Sequence, residues 1–313
     1  MEASLLEYEL PEELIAQRPR EPRDASRLLV YERATGAVRH RIFRELPDEV
    51  PGTLAVVNDT AVVPARIRAE RASGGAAEVL LLERREANGV WEALARPSRR
   101  LRAGEQLGPV ALLESLGAGR WLVRLDGEPA GETPLPPYIT EPLADPARYG
   151  TVYAREAGSA AAPTAGLHFT AELLARLRVE RVTLHVGLDT FRPVETATLE
   201  EHPLHTERYR VEPATAERIA AAPRVLAVGT TTVRVLESLA RGAPLEGRTG
   251  LFVRPPFEFL RVGAVLTNFH LPRSTLLALV MAFAGVEETR ALYRLAVAER
   301  YRFLSFGDAM LLL

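Results

Sequence analysis

Cysteine and lysine are both absent from the 313-residue chain. Without cysteine there is no disulfide, no thiolate nucleophile and no cysteine-ligated zinc, a pattern that suits a reducing compartment. Without lysine there is no Schiff base and no phosphate-loop lysine, so aldolase-like and Walker-type chemistries fall away. All 39 basic residues are arginine, a bias that nucleotide composition explains most simply, and against 41 acidic ones they leave a net charge of −2. That balance argues against a generic polyanion binder while leaving room for a local basic face. Long apolar runs are also lacking. LLALVMAFA at 276–284 falls short of the roughly 20 residues of a spanning helix, and the start, MEASLLEYELPEELIAQ, is acidic rather than basic and then apolar. Neither a membrane span nor a signal peptide is expected, and a cytoplasmic location is. GxSxG, GxGxxG and Walker motifs are missing, which removes local support for hydrolase-triad and dinucleotide readings.

What is present divides the chain in two. EVLLLER (78–84), VWEALAR (90–96) and RWLVRLD (120–126) alternate and are separated by turn signals such as Asn88-Gly89 and Asp126-Gly127, so residues 65–136 are expected to form an inserted small all-β, barrel-like domain. On either side, apolar strands run into polar or glycine residues and then helices: TLAVV into Asn58-Asp59, VTLHV into Gly187, RVLAV into Gly229 and the threonines, AVLTNF into His270. This predicts a discontinuous α/β catalytic domain over 1–64 and 137–313, with ligands at the carboxyl ends of the strands.

The candidate residues sit at those strand ends. In AAAPTAGLHFTAELLARL (160–177) a stiff turn delivers His168 and leads into an amphipathic helix. Thr230 and Thr231 open another helix, where hydroxyls and free N–H groups suit an anion or a simple N-cap. Strand alternation turns His185 away from the core side of VTLHV. Asn58 and Asp59 read either as a turn cap or as ligand contacts. His270 precedes Pro272 and a helix capped by Ser274 or Thr275, and Asp308 follows Gly307 before a final strand. His202 and His205 have a spacing that suits a metal on a helix, which Pro203 between them weakens. Arginines crowd two places, Arg18 to Arg27 and Arg96 to Arg102.

Taken in order, LPEELIAQRPREPRDASRLL (10–29), NDTAVVPARI (58–67), YGTVYAREAGSAAAPTAGLHFT (149–170), VTLHVGLDTFRPV (182–194), HPLHTERY (202–209), AVGTTTVRVLES (227–238), LTNFHLPRSTLL (266–277) and RYRFLSFGDAMLL (300–312) resemble the S-adenosylmethionine:tRNA ribosyltransferase-isomerases of queuosine synthesis, end to end. Arg155 and Arg273 stand where that family shows lysine, Asp189 where it shows glycine, and Pro255-Pro256 replaces a proline-glycine turn. The resemblance implies a barrel-like α/β body, with S-adenosylmethionine consumed as cosubstrate and no metal or other cofactor. It further implies a tRNA partner carrying 7-aminomethyl-7-deazaguanine at the wobble position, and a monomer is the expected state. The reaction's proton transfers point to His168 and His270 first, with Asp308 and His185 as further catalytic candidates. Asn58, Asp59, Thr164, Gly166, Thr230, Thr231, Arg234 and Arg273 are expected to bind substrate, and Arg23, Arg27, Arg99 and Arg100 to meet tRNA. These rigid turns are expected to converge on one pocket. The alternatives are a non-catalytic tRNA-binding paralogue and a metal-dependent hydrolase built on His202 and His205.

Overall fold

Short apolar runs become the central strands of a computed structural model that describes residues 1–85, 88–187 and 193–313. The body begins with β1 (Arg27–Glu32), β2 (Ala37–Ile42), the short helix α1 (Leu46–Glu49), β3 (Leu54–Asn58) and β4 (Thr60–Val62). β3 reads LAVVN and is buried at every position, as a strand covered on both faces must be.

The insert follows: β5 (Arg66–Glu70), β6 (Ala76–Arg84), β7 (Val90–Arg96), β8 (Gln106–Leu107), β9 (Val110–Gly117) and β10 (Arg120–Leu125). They form one antiparallel sheet in the order β5-β6-β7-β10-β9-β8. It curls until its end strands face each other, since Arg71 beyond β5 bonds Glu105 before β8 at 2.7 Å. Val79, Leu81, Trp91, Leu112, Trp121 and Val123 fill its interior.

The chain then returns to the body with β11 (Glu156–Ser159), α2 (Ala171–Ala175), β12 (Arg178–Leu184), β13 (Glu207–Arg210), α3 (Pro213–Ala221), β14 (Val225–Val228), α4 (Thr230–Ala240), β15 (Glu246–Thr249), β16 (Ala264–Asn268), α5 (Thr275–Ala284), α6 (Val286–Ala298) and β17 (Ala309–Leu312). The nine-stranded sheet runs β15-β13-β12-β3-β14-β16-β17-β1-β2. Its middle strands β12, β3, β14 and β16 are parallel, so their carboxyl ends share one edge. An α/β body with a barrel-like β insert is thus the architecture the sequence led us to expect.

The two faces of the sheet bury separate cores. Val56, Val182, Ala227 and Val265 face α4, α5 and α6. Their strand neighbours Val57, Leu226 and Leu266 face Phe43, Phe169 and Leu173 of α2. α5 is apolar all round and mostly buried, which explains why its sequence shows no clear amphipathic stripe. Ser274 caps it by accepting the N–H of Leu277 at 3.2 Å. The helix expected after His168 is shorter than its pattern suggested. Thr170 caps it, but β12 already begins at Arg178, because pairing with β3 wins over the helical period. Arg248 of β15 bonds Glu83 of β6 at 2.5 Å and ties the insert to the body's edge.

Candidate functional site

The carboxyl edge of the parallel strands gathers most of the polar residues singled out in the sequence. Asn58 ends β3, is fully buried, and uses its whole amide internally. Its Nδ2 donates to Leu184 O at 2.9 Å and Thr231 Oγ1 at 3.3 Å, while Oδ1 accepts the N–H groups of Thr60 and Leu184. It therefore ties β3, β12 and α4 together and has no capacity left for a ligand. Asp59 beside it accepts from Thr183 Oγ1 at 2.7 Å. Burial raises its carboxyl above the ordinary range, with the Thr183 bond and the Arg181 and Arg155 charges acting against that shift and Glu156 adding to it.

The turn Thr164–Gly166 lies across this edge. Thr164 Oγ1 donates to Asn268 Oδ1 at 2.9 Å, and the Asn268 amide meets His168 Nε2 at 3.2 Å. His168 Nδ1 lies 2.9 Å from Ser26 Oγ. With the amide donating to Nε2, the imidazole carries its proton on Nδ1 and donates to the serine. Gly166 is required by close packing, since a Cβ there would lie 1.9 Å from the Tyr153 hydroxyl.

His270 is held from the other side. Its Nε2 lies 2.7 Å from Thr267 Oγ1 and its N–H donates to Tyr293 at 3.1 Å, while its carbonyl accepts from Tyr8. Alternation along β16 sends Asn268 to one face of the sheet and Thr267 to the other. The turns thus gather along one edge, but His168 and His270 flank β16 from opposite faces instead of sharing one pocket. Both are buried, and burial pushes each imidazole down to about 3. At neutral pH both are uncharged, and His168 is engaged at both ring nitrogens.

His185 differs from both. It is half-buried, its Nδ1 lies 2.9 Å from Thr60 Oγ1, and Nε2 has no protein partner among the described residues. Burial lowers its pKa, the Arg208 charge adds to that, and Glu156 and Glu83 oppose it. Glu83 belongs to the insert, so this imidazole faces the junction of insert and body.

Of the other expected residues, Asp308 is committed to the backbone at both oxygens. It is fully buried, and its two oxygens accept the backbone N–H groups of Arg27 and Arg302, each at 2.8 Å. It is a structural bracket. Arg234 is likewise committed: it pairs with Glu207 and donates to Leu251 O at 3.0 Å and Thr249 O at 3.1 Å. The pair lines a small cleft of about 70 Å³ with Gly187, His205, Phe252 and Thr275. Thr230, one turn earlier on α4, keeps a hydroxyl with no internal partner among the described residues, at a helix start whose first N–H groups lack intrahelical acceptors. Arg273 holds Val194 O at 2.9 Å and Glu7 at 2.6 Å, pinning two loops. Arg23 donates to Gly150 O at 2.8 Å and Leu167 O at 3.3 Å, and Arg27 lies 3.7 Å over the Tyr301 ring, so neither is a free surface charge. Arg99 and Arg100 are exposed with Arg96, and among the described residues none of the three has a carboxylate partner. Among those residues no group of three or more His, Cys, Asp or Glu side chains is placed to hold a metal ion, and His202 sits edge-on to Phe252 at 6.3 Å. Asp189 lies outside the described residues, and no helix among them is long and apolar enough to cross a membrane.

Residues 3–312 match the family model described as queuosine biosynthesis protein. The chain belongs to that family. It is 55% identical to the S-adenosylmethionine:tRNA ribosyltransferase-isomerase of Rubrobacter xylanophilus, over 100% of this chain and 98% of the relative. It is 50% identical to the enzyme of the same name from Symbiobacterium thermophilum, over 100% of both. The crystal structure of S-adenosylmethionine tRNA ribosyltransferase from Thermotoga maritima is similar with a TM-score of 0.58 and 39% identity, over 99% of this chain and 100% of that one. Membership of the queuosine family gives the polar edge a chemical setting. Sequence reading passed over Thr60 and Ser159, which lie within quoted motifs, because small hydroxyls give no signal until the fold links them to His185.

Proposed function

We propose that the chain moves the ribosyl part of S-adenosylmethionine onto the aminomethyl group of 7-aminomethyl-7-deazaguanine at the tRNA wobble position. Adenine and methionine leave, and the ribose becomes an epoxycyclopentane, giving epoxyqueuosine. The observation that carries this reading is full-length similarity to relatives named S-adenosylmethionine:tRNA ribosyltransferase-isomerase, together with the gathering of the quoted motifs at one strand edge. S-adenosylmethionine is consumed, and no metal or further cofactor takes part.

In this reading His185 meets the reacting sugar through its open Nε2, since it is more exposed than His168 and His270, which are 4% and 8% exposed. Asp59, a carboxyl raised by burial, addresses the amine nucleophile. The first turn of α4 with Thr230 receives the methionine carboxylate, while Asn58, Thr231, Thr164 and Gly166 shape the edge rather than touch substrate. Arg99 and Arg100, with Arg96, meet tRNA phosphates. Residues 65–136 form the inserted domain, 1–64 and 137–313 the catalytic one, and the protein acts as a cytoplasmic monomer.

The test is incubation with S-adenosylmethionine and tRNA bearing the precursor base, followed by mass spectrometry of the nucleosides. Epoxyqueuosine formed with one equivalent of adenine supports the reading. Intact precursor from folded, tRNA-binding protein overturns it and leaves the non-catalytic paralogue.

A further inference from the structure

His185 is held by a chain of buried hydroxyls whose order fixes which ring nitrogen carries the proton. The Val186 N–H donates to Ser159 Oγ at 2.7 Å. Ser159 Oγ lies 2.8 Å from Thr60 Oγ1, which lies 2.9 Å from His185 Nδ1. Thr60 and Ser159 are 1% and 0% exposed, so water does not compete. A buried hydroxyl donates one proton and loses free energy if that proton finds no acceptor.

Ser159 already receives the Val186 N–H, and among the described residues Thr60 is the only acceptor within reach of its own proton. Thr60, receiving from Ser159, has two places for its proton: His185 Nδ1 at 2.9 Å, or the Glu156 carbonyl at 3.4 Å. The second lies beyond the 2.5–3.0 Å range of an effective O–H···O bond. The first therefore wins, and Nδ1 becomes an acceptor. Gly158 supports the arrangement sterically, because a Cβ there would sit 2.8 Å from ring atoms of His185; the ring lies flat against backbone and cannot turn over without moving β11.

We propose that Thr60 and Ser159 are positioning residues that hold His185 as the neutral tautomer with its proton on Nε2, directed into the junction of insert and body. Resting on the reading that this imidazole meets the substrate, the inference makes His185 a hydrogen-bond donor to an atom on which negative charge grows during departure of the leaving group, not the base that removes the proton beside sulfur. A neutral imidazole is suited to that electrophilic role. The charged groups facing it are Arg208 on β13, Glu156 on β11 and Glu83 on the insert; the opposed signs leave the hydroxyl chain to decide the tautomer.

Nitrogen-15 resonances of the imidazoles in labelled full-length protein, with His185 assigned through His185→Gln, read the tautomer without reference to activity. The expected result at neutral pH is a pyrrole-type Nε2 and a pyridine-type Nδ1. Thr60→Val is expected to merge the two signals toward the ordinary exchanging mixture, and Thr60→Ser to keep them apart. Turnover should fall on the order of tenfold in Thr60→Val with KM for S-adenosylmethionine unchanged, less than the roughly 10²–10³ expected for loss of the donor itself, and Thr60→Ser should restore it. If Thr60→Val does not fold, Ser159→Ala is expected to blur the same signals. A wild-type His185 carrying its proton on Nδ1, or charged, would overturn the inference even if epoxyqueuosine is formed; absent product with the Nε2 tautomer present would instead overturn the functional reading.

Discussion

At the scale of single residues, burial decides what each candidate side chain is able to do. His168 and His270 have an ordinary value of 6.5 when unfolded and about 3 when folded. Between those values the unfolded chain binds more protons, so stability is present above about 6.5 and is lost as pH falls toward 3, by up to about 1.4 kcal/mol per pH unit for each histidine. Urea unfolding at pH 7 and pH 5 should show this loss, and His168→Gln should have a shallower dependence than wild type; equal dependences would contradict the neutral, sealed imidazole. Asp308→Asn gives the complementary contrast. An amide cannot accept both N–H groups, so a loss of about 2–4 kcal/mol is expected, with turnover per folded molecule close to wild type. A stable but inactive variant would return Asp308 to the chemistry. Sequence alone showed that these residues were unusual, yet not whether their polar atoms were free, because partners such as Ser26, Thr267 and the N–H of Arg302 are distant in the chain or unremarkable in type.

Elements were legible where local pattern and tertiary pairing agree. β7 covers the quoted run VWEALAR from end to end, and α5 starts at its expected cap. The pattern failed at α2, where five residues of helix give way to a strand that pairs with β3. The turn that carries His168 rests on one close approach with a direct test: Gly166→Ala drives a methyl into the Tyr153 hydroxyl. We expect about 1–3 kcal/mol of destabilisation from such overpacking and loss of activity. Tyr153→Phe in the same chain removes the clashing oxygen and should recover part of the stability in thermal melts. No recovery would mean that the turn is held by something other than this approach.

Across the whole molecule, the charge of −2 conceals a division of labour among arginines. Arg23, Arg27, Arg234 and Arg273 serve internal carbonyls, rings and carboxylates, whereas Arg96, Arg99 and Arg100 stand exposed on the insert. Replacing those three by glutamine should weaken tRNA binding and flatten its salt dependence, by about 0.9 in the log–log slope for each phosphate that is no longer neutralised; an unchanged slope would place the tRNA elsewhere. Both tryptophans of the chain lie in the insert's core, so their fluorescence reports that unit alone. If residues 65–136 behave as a domain, the fluorescence and far-ultraviolet transitions in denaturant should separate. Coincident transitions would indicate one cooperative unit.

The central claim is that the reaction takes place at the strand edge where His185 opens toward the insert. Single-turnover formation of epoxyqueuosine by His185→Gln, compared with wild type at saturating S-adenosylmethionine and tRNA, tests it most directly. The expected result is a rate lower by a factor of about 10² or more in a protein that melts as wild type and binds tRNA equally well. A rate within a few-fold of wild type would contradict it.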